Sequence, residues 1–222
     1  AMKRWRIEIA DSAGTPLAAA PPVAFLRLVL EAAHEEFAPV PLLALLKHPL
    51  AACGMAPGTL RARARALEQA ALRGPRPPPG IDALKRIAKG KADWLGDLAR
   101  RRAPLTTALA APRQPAEALL RAHIAAAEAL AAAETGDGAA RLWAGETGEA
   151  AARFLDELAP ALRDLAPIRP ADYSELLEAL LSGAVVRPRY GTHPPLAILG
   201  PLEARLQRFD LMILGSLNEG VW

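Results

Sequence analysis

This sequence of 222 residues predicts a mostly α protein with a small α/β part. Three observations carry that reading. Alanine makes up about a quarter of the chain, far above its usual share, and it is the strongest helix former. Residues 58–183 read almost wholly as helix, with apolar side chains returning every three or four positions. Short runs that read as strands fall only near the two ends. Strands outside and helices inside is the signature of an α/β domain interrupted by a helical insertion. The competing reading is one helical domain with ragged ends.

Taken in order, residues 5–10 (Trp-Arg-Ile-Glu-Ile-Ala) alternate apolar and polar like a strand, and Asp11-Ser12-Ala13-Gly14 comes next as a turn. Pro21 and Pro22 open a helix whose face is Val23, Leu26, Leu30, Ala33 and Phe37. Pro39 and Pro41 open another through Leu42–Leu46, which stops before His48-Pro49 because a residue preceding proline is pushed out of the helical region. Thr59 is placed to cap a helix running to Leu72. Gly74-Pro75-Arg76-Pro77-Pro78-Pro79-Gly80 reads as a stiff connector. Asp82–Arg102 reads as a basic helix, weakened at Gly90 and Gly96, and Pro104 and Pro112 punctuate a short segment after it. Pro115–Glu134 reads as a long helix ended by Gly136-Asp137-Gly138. Thr147 starts a helix kinked at Pro160. Asp172 and Glu175 have capping-box spacing before a helix stopped by Gly183. Three short strands are expected after it, at 184–186, 196–199 and 210–214. Residues 5–10 and 210–214 are expected to share one sheet.

Composition excludes several classes. With 52% hydrophobic and 23% charged residues the chain is rich enough in apolar side chains to bury a core, which argues against disorder. The 21 prolines and 16 glycines obey no Gly-X-Y repeat, so a collagen helix is excluded. No apolar run approaches the ~20 residues of a membrane-spanning helix. The single cysteine, Cys53, has no internal disulfide partner, and the start Met2-Lys3-Arg4-Trp5-Arg6 has no apolar signal region; both fit a reducing, cytoplasmic setting. Ala1 before Met2 reads as a cloning scar on an excised piece.

The net charge of +3 hides an asymmetry. Residues 61–113 carry thirteen basic and four acidic side chains, a net of +9, while residues 114–222 carry nine basic and fifteen acidic, a net of −6. Two readings of the basic block are open: contact with a polyanion, or a solvated helix face that happens to be basic. Its candidate phosphate contacts are Arg61, Arg63, Arg65, Lys85, Arg86, Lys89, Lys91, Arg100, Arg101 and Arg102. Trp94, beside Lys89 and Lys91, is either a packing anchor or a platform for a base, and Trp143 is read as a packing anchor.

No catalytic set is legible. The nearest approach to a phosphate-binding loop, Gly90-Lys91, has Lys85 where the first glycine belongs and Ala92 where the hydroxyl residue belongs. His34, His48, His123 and His193 are far apart in sequence and Cys53 is alone, so there is no metal-ligand spacing. His34-Glu35-Glu36 reads as a surface cluster, and Cys53 as a small core residue.

The informative segment is 192–222. It runs Thr192-His193, a strand, Gly200-Pro201-Leu202-Glu203-Ala204-Arg205, then Asp210-Leu211-Met212-Ile213-Leu214-Gly215-Ser216-Leu217-Asn218-Glu219-Gly220-Val221-Trp222. Together these strings resemble the AddB subunit family of bacterial AddAB helicase–nucleases, in its alphaproteobacterial form, and look like a degenerate motif V of UvrD-type helicases. The front agrees less specifically, through Ile9–Leu17, Phe25-Leu26 and Val40–Leu50. The resemblance covers about ninety residues at the two ends.

That resemblance implies a fold, a set of site residues and a setting. The fold would be a segment of a RecA-like, UvrD-type helicase domain: residues 1–57 begin the second RecA-like domain, 58–183 form an α-helical inserted subdomain, and 184–222 return to the RecA-like domain. Glu203 aligns with the glutamate that contacts the nucleotide sugar in active helicases; read on its own, it is a surface ion pair to Arg205 or Arg208. The family's Lys-Gly before Leu-Glu is replaced by Gly200-Pro201, which removes a cation beside the phosphates and fits an inactivated motor. Thr192, His193, Gly200, Glu203, Asn218, Glu219, Gly220, Asp11 and Ser12 are the nucleotide- or DNA-proximal candidates that the resemblance implies. No catalytic residue, metal ligand or cofactor is expected in this chain itself. ATP, magnesium and an iron–sulfur cluster would belong to the parent complex, with DNA and an AddA-like helicase–nuclease subunit as partners and no membrane. The function implied is DNA guiding or scaffolding in double-strand break repair; the alternative is an α-helical protein–protein interaction module.

Overall fold

The structure, a computed structural model, describes residues 9–11, 14–90, 92–186, 196–213 and 215. It divides into two compact units, residues 15–186 and residues 1–14 with 187–222.

The unit 15–186 is a helical body. A two-residue strand, β2 (Thr15–Pro16), pairs antiparallel with β3 (Val185–Val186), and the Leu17 N–H bonds the Ala184 carbonyl at 2.8 Å. This clasp brings the entry and exit of the body together. Between them run α1 (Pro21–His34), α2 (Pro39–Lys47), α3 (Pro57–Leu67), α4 (Ile81–Ile87), α5 (Leu95–Ala110), α6 (Ala116–Ala131), α7 (Gly138–Leu142), α8 (Gly145–Ala161) and α9 (Pro170–Ser182). Four of these helices begin on proline, whose fixed φ suits the first helical position and whose missing N–H would be unpaired there anyway. Of the face expected on α1, Val23, Leu26 and Leu30 are within 3% of full burial and Ala33 is half-buried; Phe37 is buried too, but lies past the helix end at His34. Helix α1 packs on α6 and α8, so α1 and α2, which the sequence assigns to the outer domain, belong to the helical body.

Among the described residues the core is built from aliphatic side chains with Phe25, Phe37, Trp94 and Tyr173, and His123 is fully buried within it. Its Nε2–H donates to the Leu26 carbonyl at 2.9 Å, since a carbonyl can only accept; that leaves Nδ1 to accept from the Tyr173 hydroxyl at 3.2 Å. One neutral imidazole thereby ties α6 to α1 and α9. Burial drops its pKa to about 4 and pushes the Tyr173 phenol far above its usual value.

Several expectations are corrected. Thr59 does not cap α3; Pro57 is the first helical residue, and the helix passes into a π-helical turn at 68–72. Pro104 does not break α5, which runs through it to Ala110. A proline there removes one backbone bond, at a cost of about 3 kcal/mol, and burial of Leu95, Leu98 and Leu105 against α6 outweighs that. Asp172 is not paired in a capping box; both its oxygens accept from Arg169, at 2.9 and 2.8 Å. Helix α7 is not among the expected elements, although Asp137 caps it in the ordinary way, accepting from the Ala139 and Ala140 amides.

In the second unit, β1 (Ile9–Asp11) pairs in parallel with β4 (Leu196–Ile198), with Ala10 opposite Ala197. A short helix, α10 (Pro201–Ala204), comes after β4. The front and return segments therefore share a sheet, but through 196–198. Residues 210–213 are exposed and form no strand, and residues 5–8 lie outside the described set.

Candidate nucleic-acid interface

The seam of α3 is Leu60, Ala64 and Leu67, all fully buried, continued by Ala71. Arg61, Arg63 and Arg65 fall off that seam and are exposed. The helix contains no acidic residue, and among the described residues none of the three has an ion-pair partner.

Helix α4 presents its cations less freely. Lys85 is half-buried, 3.8 Å from Asp82 and close over Gly96. Arg86 is exposed. Lys89 is exposed at φ +48° in the turn that ends the helix, followed by Gly90 at φ +80°, the region glycine enters without steric cost. Lys91 lies outside the described residues.

Helix α5 turns two of its three arginines inward. Its apolar seam is Leu95, Leu98 and Leu105, and Arg102 occupies the missing heptad position between them. The Arg102 guanidinium stacks over the Phe37 ring, 4.1 Å from its centroid, and its Nε is buried without a partner among the described groups. Burial holds it below the usual arginine range, with the Asp82 charge acting in the opposite direction. Arg101 closes the end of α6. Its Nη1 donates to the Ala129 carbonyl at 2.9 Å, while the Ala52 and Cys53 amides bond Leu130, Arg141 Nε bonds Ala131 and the Gly54 amide bonds Ala132. Four carbonyls at the helix end are thus satisfied, three of them by distant groups that no local sequence pattern announces. Arg100 pairs on the surface with Asp97.

Trp94 is 7% exposed, so it packs in the core and offers no ring to a base. Trp143 donates its indole N–H to Glu128 at 2.7 Å. Burial pushes the Cys53 thiol up to about 12 and lowers the pKa of His34 and His48. A groove of about 240 Å³ between α1 and α9 has no sequence signal. Its edge is the bidentate Arg27–Glu178 pair at 2.7 and 2.5 Å, and Glu31 also lines it.

In the second unit the Glu203 carboxylate accepts the Gly200 N–H at 3.1 Å, bracing the turn into α10. Asp11 pairs through its backbone with Ile198. Ser12, Thr192, His193, Asn218, Glu219 and Gly220 lie outside the described residues.

Among the described residues no group of three or more His, Cys, Asp or Glu is placed to hold a metal ion, and no helix is long and apolar enough to cross a membrane. No protein-family model, no curated protein and no solved structure matches the chain. The exposed positive charge on this surface comes from the guanidinium groups on α3, with Arg86 and Lys89 at the end of α4.

Proposed function

We propose that the chain is a DNA-guiding or scaffolding piece of an AddB-like helicase–nuclease subunit, acting in double-strand break end processing and recombinational repair. The observation that carries the reading is the parallel pairing of β1 with β4. Parallel neighbours need a crossover connection, usually one helix. Here the connection between them contains the entire helical body, whose own entry and exit pair through β2 and β3. A parallel pair joined by so long a connection supports the reading of an α/β domain split by a helical insertion, which the resemblance implies is RecA-like. Glu203 and Gly200, within the strings that carry the resemblance, sit on the turn directly after β4.

In this reading the chain supplies no motor chemistry. ATP, magnesium and an iron–sulfur cluster belong to other parts of the parent complex, and an AddA-like subunit drives translocation. The helical body offers cations to the strand.

The test is fluorescence anisotropy of the chain with labelled single- and double-stranded DNA across a salt series. Binding should weaken steeply with salt, because each neutralised phosphate releases counterions. Absence of binding at low salt contradicts the DNA-guiding reading and leaves an interaction module.

A further inference from the structure

We infer that the DNA backbone docks on the solvent face of α3 and not on α5; the inference rests on the DNA-guiding reading and locates it. Helical spacing arranges this face. Gly58, Ala62 and Ala66 recur at i, i+4 and i+8 along its centre, and all three are exposed. Arg61 and Arg65 precede that line and Arg63 lies beyond it, so guanidinium groups flank a strip of small side chains on both sides. A Cβ built at Gly58 meets nothing within 4 Å, so the centre of the face is open. A sugar–phosphate backbone lying along the strip approaches the helix closely, and the flanking arginines reach phosphates with their planar forks.

The arrangement is costly for the helix alone. Arg61 and Arg65 are like charges at i, i+4, which opposes helix formation, and α3 has no carboxylate to offset it. Six other exposed arginines are paired: Arg73 with Glu68, Arg76 with Glu35, Arg100 with Asp97, Arg121 and Arg163 with Glu117, Arg169 with Asp172; exposed Arg86 and Arg153 have no ion-pair partner among the described residues. None of the ion pairs among the described residues joins the basic block to the acidic half of the chain, so the α3 charges are not consumed by its own acidic surface. Three exposed arginines without an ion-pair partner within five residues are the densest such group among the described residues, and this concentration of positive charge points to an external anion.

The experiment compares the whole chain with Arg61→Ala/Arg63→Ala/Arg65→Ala in the DNA anisotropy assay. The sites are exposed and alanine is the better helix former, so the variant should keep its melting temperature. The salt slope should fall by about three, one per cation, and affinity at 0.1 M salt by about a hundredfold. Arg61→Lys/Arg63→Lys/Arg65→Lys should restore the slope. A charge-matched Arg121→Ala/Arg163→Ala/Arg169→Ala variant should leave the slope unchanged. If the unaltered chain binds DNA and the α3 alanine variant binds equally well, the α3 site is overturned while the DNA-guiding reading stands. If the unaltered chain fails to bind DNA at low salt, both fall, and retention on immobilised poly-glutamate would then mark an acidic protein as the partner.

Discussion

Gly54 and Arg101 should behave as one energetic unit. Gly54 sits at φ +80°, and its amide caps the Ala132 carbonyl at 2.7 Å. A side-chain carbon added there would overlap the Arg101 guanidinium, which is held in place by its bond to Ala129. Arg101→Ala removes a charge-assisted bond to a helix-end carbonyl, worth about 2 kcal/mol. Gly54→Ala adds left-handed strain of about 1 kcal/mol and also evicts the guanidinium, for about 3 kcal/mol in all. In the Arg101→Ala background the eviction is already complete, so Gly54→Ala should cost only about 1 kcal/mol. The coupling is then about 2 kcal/mol, well above the ~0.5 kcal/mol scatter of independent sites. Urea unfolding, monitored by far-ultraviolet circular dichroism on the four proteins of the cycle, measures it. Each kilocalorie should appear as a melting shift of roughly 2–4 °C for a chain of this size. Additive single effects would refute the claim that Arg101 serves the fold of the α6 terminus.

The same packing sets other expectations. Gly138 lies directly against the Glu128 carbonyl and the Ala132 amide, so Gly138→Ala must push α7 off α6; thermal melting should show a loss of about 3 kcal/mol, the upper range for overpacking. His123 has its folded pKa lowered from 6.5 to about 4, so the unfolded chain binds the proton first as pH falls. Its stabilising effect is therefore complete above about pH 6.5 and is lost as pH drops toward 4, by about 3 kcal/mol in total. His34 and His48 act in the same direction. Magnetic resonance titration should show the His123 imidazole still neutral at about pH 5.5, and an imidazolium there would contradict its burial. Cys53 is 2% exposed with its thiol pushed up to about 12, so a disulfide reagent should label it only as fast as the body opens, and labelling at the rate of a free thiol would refute the packing of the 51–55 loop.

Much of this architecture is legible in the sequence because local rules and tertiary packing agree. The apolar spacing of α1 and the prolines that begin α1 and α2 are short-range signals, and the folded body obeys them. Pro104 misleads because a local breaker rule is outweighed by packing that only the tertiary structure reveals. The 210–213 run misleads because a short apolar stretch has no period to separate strand from coil. The arginines show where further reading is available. The sign of the basic block is plain, but its direction depends on the seam. Arg102 falls in register with Leu95, Leu98 and Leu105, so its inward turn is readable from spacing. Arg61, Arg63 and Arg65 fall out of register with Leu60, Ala64 and Leu67, so their exposure is readable as well. The capping role of Arg101 has no such signal, since Ala129 is 28 residues away.

A photo-cross-link tests the assignment of α3 most directly. Benzoylphenylalanine placed at Ala62, the centre of the α3 face, should cross-link to bound DNA, with a yield that falls as salt rises. The same residue at exposed Ala171, beside Asp172 on α9, should give none. A chain that binds DNA yet cross-links equally at both positions, or only at Ala171, would contradict the assignment of α3 as the guiding surface.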